Sequence, residues 1–212
     1  MAAARSITLS PTKSDAWQEL SGASNLIGWR FRACHEDMNR YVESWRKVGQ
    51  NVSSEEMYSR ERALFGMFTA GVSCIESTCY ALHALASHPK LLGLPFGERE
   101  QRNCNPTRLK ECLAKYPNAQ ALAAALNLLT SSTEWDLWVD LRNRMTHRSN
   151  LPRIIPGAIG FEPPPAKALH FAATSSTPGF EADVSHLERM FAWLSQSLRG
   201  LLLEGQAFAC LP

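Results

Sequence analysis

The densest group of side chains fit for chemistry is the run Asp140-Leu141-Arg142-Asn143-Arg144-Met145-Thr146-His147-Arg148, followed shortly by Arg153. From Arg142 to Arg153 there are four arginines and one histidine, and no acid. A guanidinium is a planar, two-pronged donor that fits phosphate oxygens. An imidazole gains and loses its proton near neutral pH. The patch therefore suits a polyanion, either a phosphodiester backbone or a nucleotide phosphate. It also reads as a solvated helix end, because cations complement the dipole there and Asp140 with Arg144 makes an i,i+4 pair. One reaction needs both groups: attack of a ribose 2′-hydroxyl on the adjacent phosphorus. His147 would move the protons and Arg142 would hold the charged phosphoryl oxygens. That chemistry leaves a 2′,3′-cyclic phosphate and a 5′-hydroxyl.

Helix geometry constrains this constellation. At about 100° per residue, Asn143 and His147 share one face, one turn apart. Asn143 is then placed to orient the imidazole or bind a phosphate oxygen. Arg142 points about 140° away from His147 on the same helix. Two copies across a twofold axis would bring two Arg and two His around a shared cleft. Glu76 lies mid-helix among Val72, Ile75 and Cys79, with Tyr80 and His83 following on its own face. A buried carboxylate needs a partner, and Arg142 is a plausible one. The other reading leaves Glu76 in water at the edge of the stripe. Arg144, Arg148 and Arg153 are expected to bind substrate.

Arg142-Asn143-Arg144-Met145-Thr146-His147 resembles the Arg-Asn-x-x-x-His signature of the HEPN family (higher eukaryotes and prokaryotes nucleotide-binding domains). Ser73-Cys74-Ile75-Glu76 resembles the Ser-x-x-Glu pattern that family members often carry on an earlier helix. The resemblance covers the helical core from about Leu26 to Glu204. It implies an all-α, HEPN-like bundle, a homodimer, and a metal-independent endoribonuclease. Roles in toxin–antitoxin systems or phage defence, with an antitoxin protein as partner, are implied with it. Within that reading Arg142 binds and polarises the phosphate, His147 transfers protons, Asn143 orients, and Glu76 holds Arg142. The alternative is a non-catalytic bundle that binds a nucleotide, RNA or a protein. Arg30 to His35 repeats the Arg-to-His spacing but lacks the Asn and sits in the first long helix, so it is read as coincidental.

The elements that position these residues follow from periodicity and breakers. Residues 1–13 read as a flexible N-terminal tail, and 14–212 as a single helical-bundle domain. A first segment capped near Ser14 or Asp15 precedes a helix over 26–48. Ser53 and Glu56 fit a capping box opening a helix to about Ser87, which Pro89 stops. Residues 90–106 read as a loop. Asn105-Pro106-Thr107 starts a short helix, and an Ala/Leu-rich helix spans about 119–130. Ser131-Ser132-Thr133-Glu134 launches the motif helix, whose stripe is Trp138, Leu141 and Met145. Six of the twelve prolines fall within 149–182, which marks an insertion, with 153–155 and 168–171 as strands of a small hairpin. The stripe Val184, Leu187, Phe191, Leu194, Leu198 and Leu201 predicts a last helix over about 182–204.

Composition sets the outer bounds. The chain has 212 residues, 45% hydrophobic and 20% charged, which is ordinary for a globular domain. Net charge is only +2, so the clustering of arginines matters more than the total. The N-terminus lacks the apolar segment of a signal peptide, and no run is long enough to span a bilayer. A cytoplasmic protein with no membrane association is expected. The six cysteines include no Cys-x-x-Cys, so reduced thiols are expected, with no metal and no cofactor. There is no Gly-rich phosphate loop, no Gly-x-Ser-x-Gly and no His-Glu-x-x-His.

Overall fold

Gly49 ends the first helix. Its φ of +68° is the left-handed conformation that a side chain disfavours, and its N–H closes on the Trp45 carbonyl at 2.8 Å. The structure, a computed structural model, describes residues 15–49, 52–146, 169–171 and 179–210. Helix α1 spans Asp15–Val48 without a break, so the separate first segment expected before Leu26 is part of it. The reason is a continuous stripe, Leu20, Ala23, Ile27, Cys34, Met38, Tyr41 and Val42, all buried.

Helix α2 spans Ser54–Ala86, and Ser53 caps it by accepting the Glu56 N–H at 3.2 Å. The Glu56 carboxylate turns to the Ser44 hydroxyl, so this helix start relies on Ser53 for its cap. Arg60 closes the hairpin. Its guanidinium donates to the Ser44 hydroxyl at 2.6 Å, the Ser44 carbonyl at 2.8 Å and the Gly49 carbonyl at 2.7 Å. It also lies over the Trp45 ring, 5.2 Å from the centroid. Further along the hairpin, Arg30 meets Ser73 and Tyr80 meets Glu19, so α1 and α2 run antiparallel along their length.

Between α2 and the motif lie α3 (Glu98–Arg102), α4 (Pro106–Leu113), a 3₁₀ turn over Pro117–Ala119, and α5 (Gln120–Thr130). Thus the expected loop over 90–106 contains a short helix. Asn105 caps α4 through the Arg108 N–H at 3.0 Å, as its place before Pro106 predicts. Ser132 caps α6 (Thr133–Thr146) through the Trp135 N–H at 3.1 Å. Helix α7 spans Val184–Ala209, five residues past the predicted end, and buries Leu187, Met190, Leu194, Leu198, Leu201 and Phe208. Phe191 turns towards α1 and stacks on Phe31 and His35.

Helix α6 runs parallel to α2 and is seated by an aromatic knob. Trp138 is fully buried, edge-on to Phe68 with centroids 5.4 Å apart. It also crosses Gly71 so closely that a Cβ there would lie 2.4 Å from the indole ring. The described strands are β1 (Leu169–Phe171) and β2 (Phe180–Ala182), antiparallel with Leu169 opposite Ala182. The partner described for the 168–171 strand is therefore 180–182, and the predicted strand 153–155 lies outside the described residues. So do the tail at 1–13 and most of the 149–182 insertion. The architecture is an all-α bundle with one two-stranded ribbon. Among the described residues no helix is long and apolar enough to cross a membrane.

Candidate functional site

Glu76 and Arg142 are brought together from the two parallel helices α2 and α6. The Arg142 Nη2 stands 3.6 Å from Glu76 Oε1. The register follows from the Trp138 knob over Gly71. Five residues along α2 from Gly71 is Glu76, and four along α6 from Trp138 is Arg142. Both side chains keep some solvent contact, 39% for Glu76 and 27% for Arg142. At 3.6 Å the pair is a charge contact longer than a hydrogen bond. The Arg142 Nε is buried and has no hydrogen-bond partner. A buried unpaired donor is uncommon and leaves this guanidinium with capacity for an acceptor.

The other motif residues divide. Asn143 is half-buried on α6, and its carbonyl takes the Thr146 hydroxyl at 3.5 Å. Arg144 turns back to Asp140, with its Nε and Nη2 each 2.7 Å from Oδ2, and its side chain is only 5% exposed. The i,i+4 pairing expected of Asp140 and Arg144 is present, and it holds Arg144 away from bulk solvent. His147, Arg148 and Arg153 lie outside the described residues.

Glu76 also lines a 630 Å³ cleft between α1 and α2. Its other walls include Glu19, Leu26, Trp29, Arg30, Ser77 and Tyr80. Arg30 donates to the Ser73 carbonyl at 3.1 Å and to the Ser77 hydroxyl, so it braces α1 against the turn of α2 that carries Glu76. Tyr80 donates to Glu19 Oε2 at 2.9 Å, and burial pushes its phenol up to about 12, so it stays a donor at neutral pH. Trp29 is 70% exposed and stands at the cleft mouth.

These cleft residues were not singled out from the motif, yet two left traces in the sequence. Arg30 is in phase with Ile27 and Cys34 on the buried stripe of α1, a place where a cation needs partners. Trp29 is out of phase with that stripe, so a large aromatic falls on an outward face. The coincidental Arg30-to-His35 match is resolved here too: His35 stacks on Phe191 at 4.9 Å, while Arg30 serves α2.

A smaller cavity of 250 Å³ lies beside α3 and α4, lined by His83, Arg99, Glu100, Cys104, Arg108 and Cys112, among others. His83 is buried, shares its Nε2 with the Pro95 carbonyl at 3.0 Å and lies edge-on to Phe96. Burial lowers its proton affinity. Burial also pushes the Cys104 thiol up to about 12, and Cys34, Cys74 and Cys79 are raised in the same way. These thiols are protonated and unreactive at neutral pH. Comparison with known proteins finds no matching family model, no matching curated protein and no matching solved structure.

Proposed function

We propose that this chain is a HEPN-type, metal-independent endoribonuclease that cleaves RNA by 2′-hydroxyl attack and works as a homodimer. The observation that carries the reading is the Glu76–Arg142 contact, because the resemblance asks for that acid to hold that arginine. A contact of 3.6 Å, on a side chain that is still 27% exposed, leaves Arg142 oriented but not saturated. A phosphoryl oxygen would complete its donor set, and charge building on that oxygen in the transition state would strengthen the contact. An ideal helix carried past Thr146 would set His147 one turn beyond Asn143, and its imidazole would exchange protons with the nucleophile and the leaving oxygen. A second protomer would supply the arginine that one helix cannot aim at its own histidine. Toxin–antitoxin or phage-defence roles, with an antitoxin as partner, extend the same reading.

The test is cleavage of single-stranded RNA in EDTA, with product ends identified. We expect cyclic phosphate ends, and loss of cleavage in His147→Ala and Arg142→Ala at unchanged thermal stability. Cleavage that survives His147→Ala overturns the reading.

A further inference from the structure

We propose that the cleft between α1 and α2 is a guanine-binding site, with Trp29 as the stacking platform and Glu19 as the group that reads the base. The inference rests on the nuclease reading only for its placement of guanosine beside the phosphate that Arg142 would hold. The base site itself stands on the cleft.

The argument is one of hydrogen-bonding capacity. At 630 Å³ the cleft has the size of an ordinary small-molecule site. One side is apolar: Leu26 and Trp29 are both exposed, at 38% and 70%, and Ala23 lines the same cleft. An aromatic left this exposed beside a cleft suits a ring that stacks on it. Gly22 also lines the cleft, and a side chain there would meet nothing within 4 Å.

The polar wall is rich in acceptors. The Tyr80 hydroxyl is already committed as a donor to Glu19 Oε2, and Arg30 Nη1 is committed to Ser73 and Ser77. Glu19 Oε1 has no such partner, and Glu19 lines the same cleft as Glu76. A ligand that stacks on Trp29 and pairs with Glu19 is therefore planar, apolar on its face and carries donors on the edge that meets the carboxylate, with Arg30 and Asn25 in the same lining for any acceptor it bears. Among the four RNA bases only guanine presents two adjacent donors, N1–H and N2–H₂, which match the two oxygens of one carboxylate. Adenine and cytosine each place a ring-nitrogen acceptor beside their amino group, which a carboxylate repels. Uracil flanks its single N–H with two carbonyls.

The placement of the second acid completes the site. Tyr80 and Glu76 are four residues apart on α2, about 6 Å of rise. Tyr80 fixes Glu19 at the base end, and Glu76 holds Arg142 at the other. Tyr80 acts on Glu19 and is a positioning residue.

Calorimetric titration of the whole protein with guanosine 5′-monophosphate, and with the adenosine, cytidine and uridine monophosphates, tests this. We expect the guanine nucleotide to bind at least about tenfold tighter than the others. Glu19→Gln keeps an acceptor for Tyr80 but puts an amide where the base donors arrive, so the preference should collapse. Trp29→Ala should weaken all four nucleotides together, with no change in the thermal melt of this exposed position. Equal affinity for all four, no binding at millimolar nucleotide, or a preference that survives Glu19→Gln would each overturn the inference. Guanine binding by a protein that never cuts RNA leaves the inference standing and removes the nuclease reading. RNA cleavage by a protein whose titration shows no guanine preference does the reverse.

Discussion

Arg142 of α6 and Glu76 of α2 stand 3.6 Å apart, joined across two parallel helices by a contact too long for a hydrogen bond and too close to be incidental. The pair is partly solvated, so its stabilising effect is small; exposed pairs contribute about 0–1 kcal/mol. Its consequence is directional. The carboxylate limits where the guanidinium points while leaving its Nε unpaired.

Glu76→Gln separates these two effects. The melting temperature should stay within about 2 °C of the parent, because little stability rides on the pair. Cleavage of RNA should fall about tenfold, the effect of about 1.4 kcal/mol lost from the transition state, and the loss should lie in kcat with KM little changed. Glu76→Asp should recover part of it. A melt that collapses with kcat unchanged would make Glu76 a structural residue.

At Gly71 the bundle leaves no room for a side chain. A Cβ at Gly71 would lie 2.4 Å from the Trp138 ring, well inside any carbon–carbon contact. Gly71→Ala should therefore cost about 1–3 kcal/mol, despite alanine's better helix propensity. It should also displace α6, and Arg142 with it. Adding Trp138→Leu should restore part of the stability. Chemical denaturation of the single and double variants checks this, and additive losses would show that the two residues do not share the contact.

His83 links folding to pH. Burial lowers its pKa below the ordinary 6.5, so the unfolded chain binds a proton more readily than the folded one. Stability should then be full above pH 6.5 and fall as pH drops below it, by at most about 1.4 kcal/mol per unit for one group. His88, lowered by burial and by Lys90, adds in the same direction. Denaturant midpoints between pH 7.5 and 5 should show the decline, and His83→Gln, which can still donate to the Pro95 carbonyl, should flatten it. An unchanged slope in that variant would assign the acid sensitivity elsewhere.

What the sequence determined by itself was local. Helix starts were legible at Ser53 and Asn105, because a side-chain oxygen just ahead of a helix has one use, accepting an N–H of the first turn; the Ser131–Glu134 box marked the third start, but the cap is Ser132, since the Ser131 hydroxyl bonds back to the Asn127 carbonyl. The all-α class and the α7 stripe were legible because apolar spacing of three and four admits one regular structure. The pairing of Glu76 with Arg142 was named as one of two readings, and only the Trp138–Gly71 packing, which sets the register of α6 on α2, decided between them. The cleft left only the traces at Arg30 and Trp29, and its assembly was not legible. Glu19, Trp29 and Tyr80 come from helices whose alignment is fixed by the Arg60 clamp at the far end of the hairpin, and no spacing within either helix records it. Contacts within one turn are written in the order of residues, whereas a wall shared by two helices exists only once the burial of both has fixed their register.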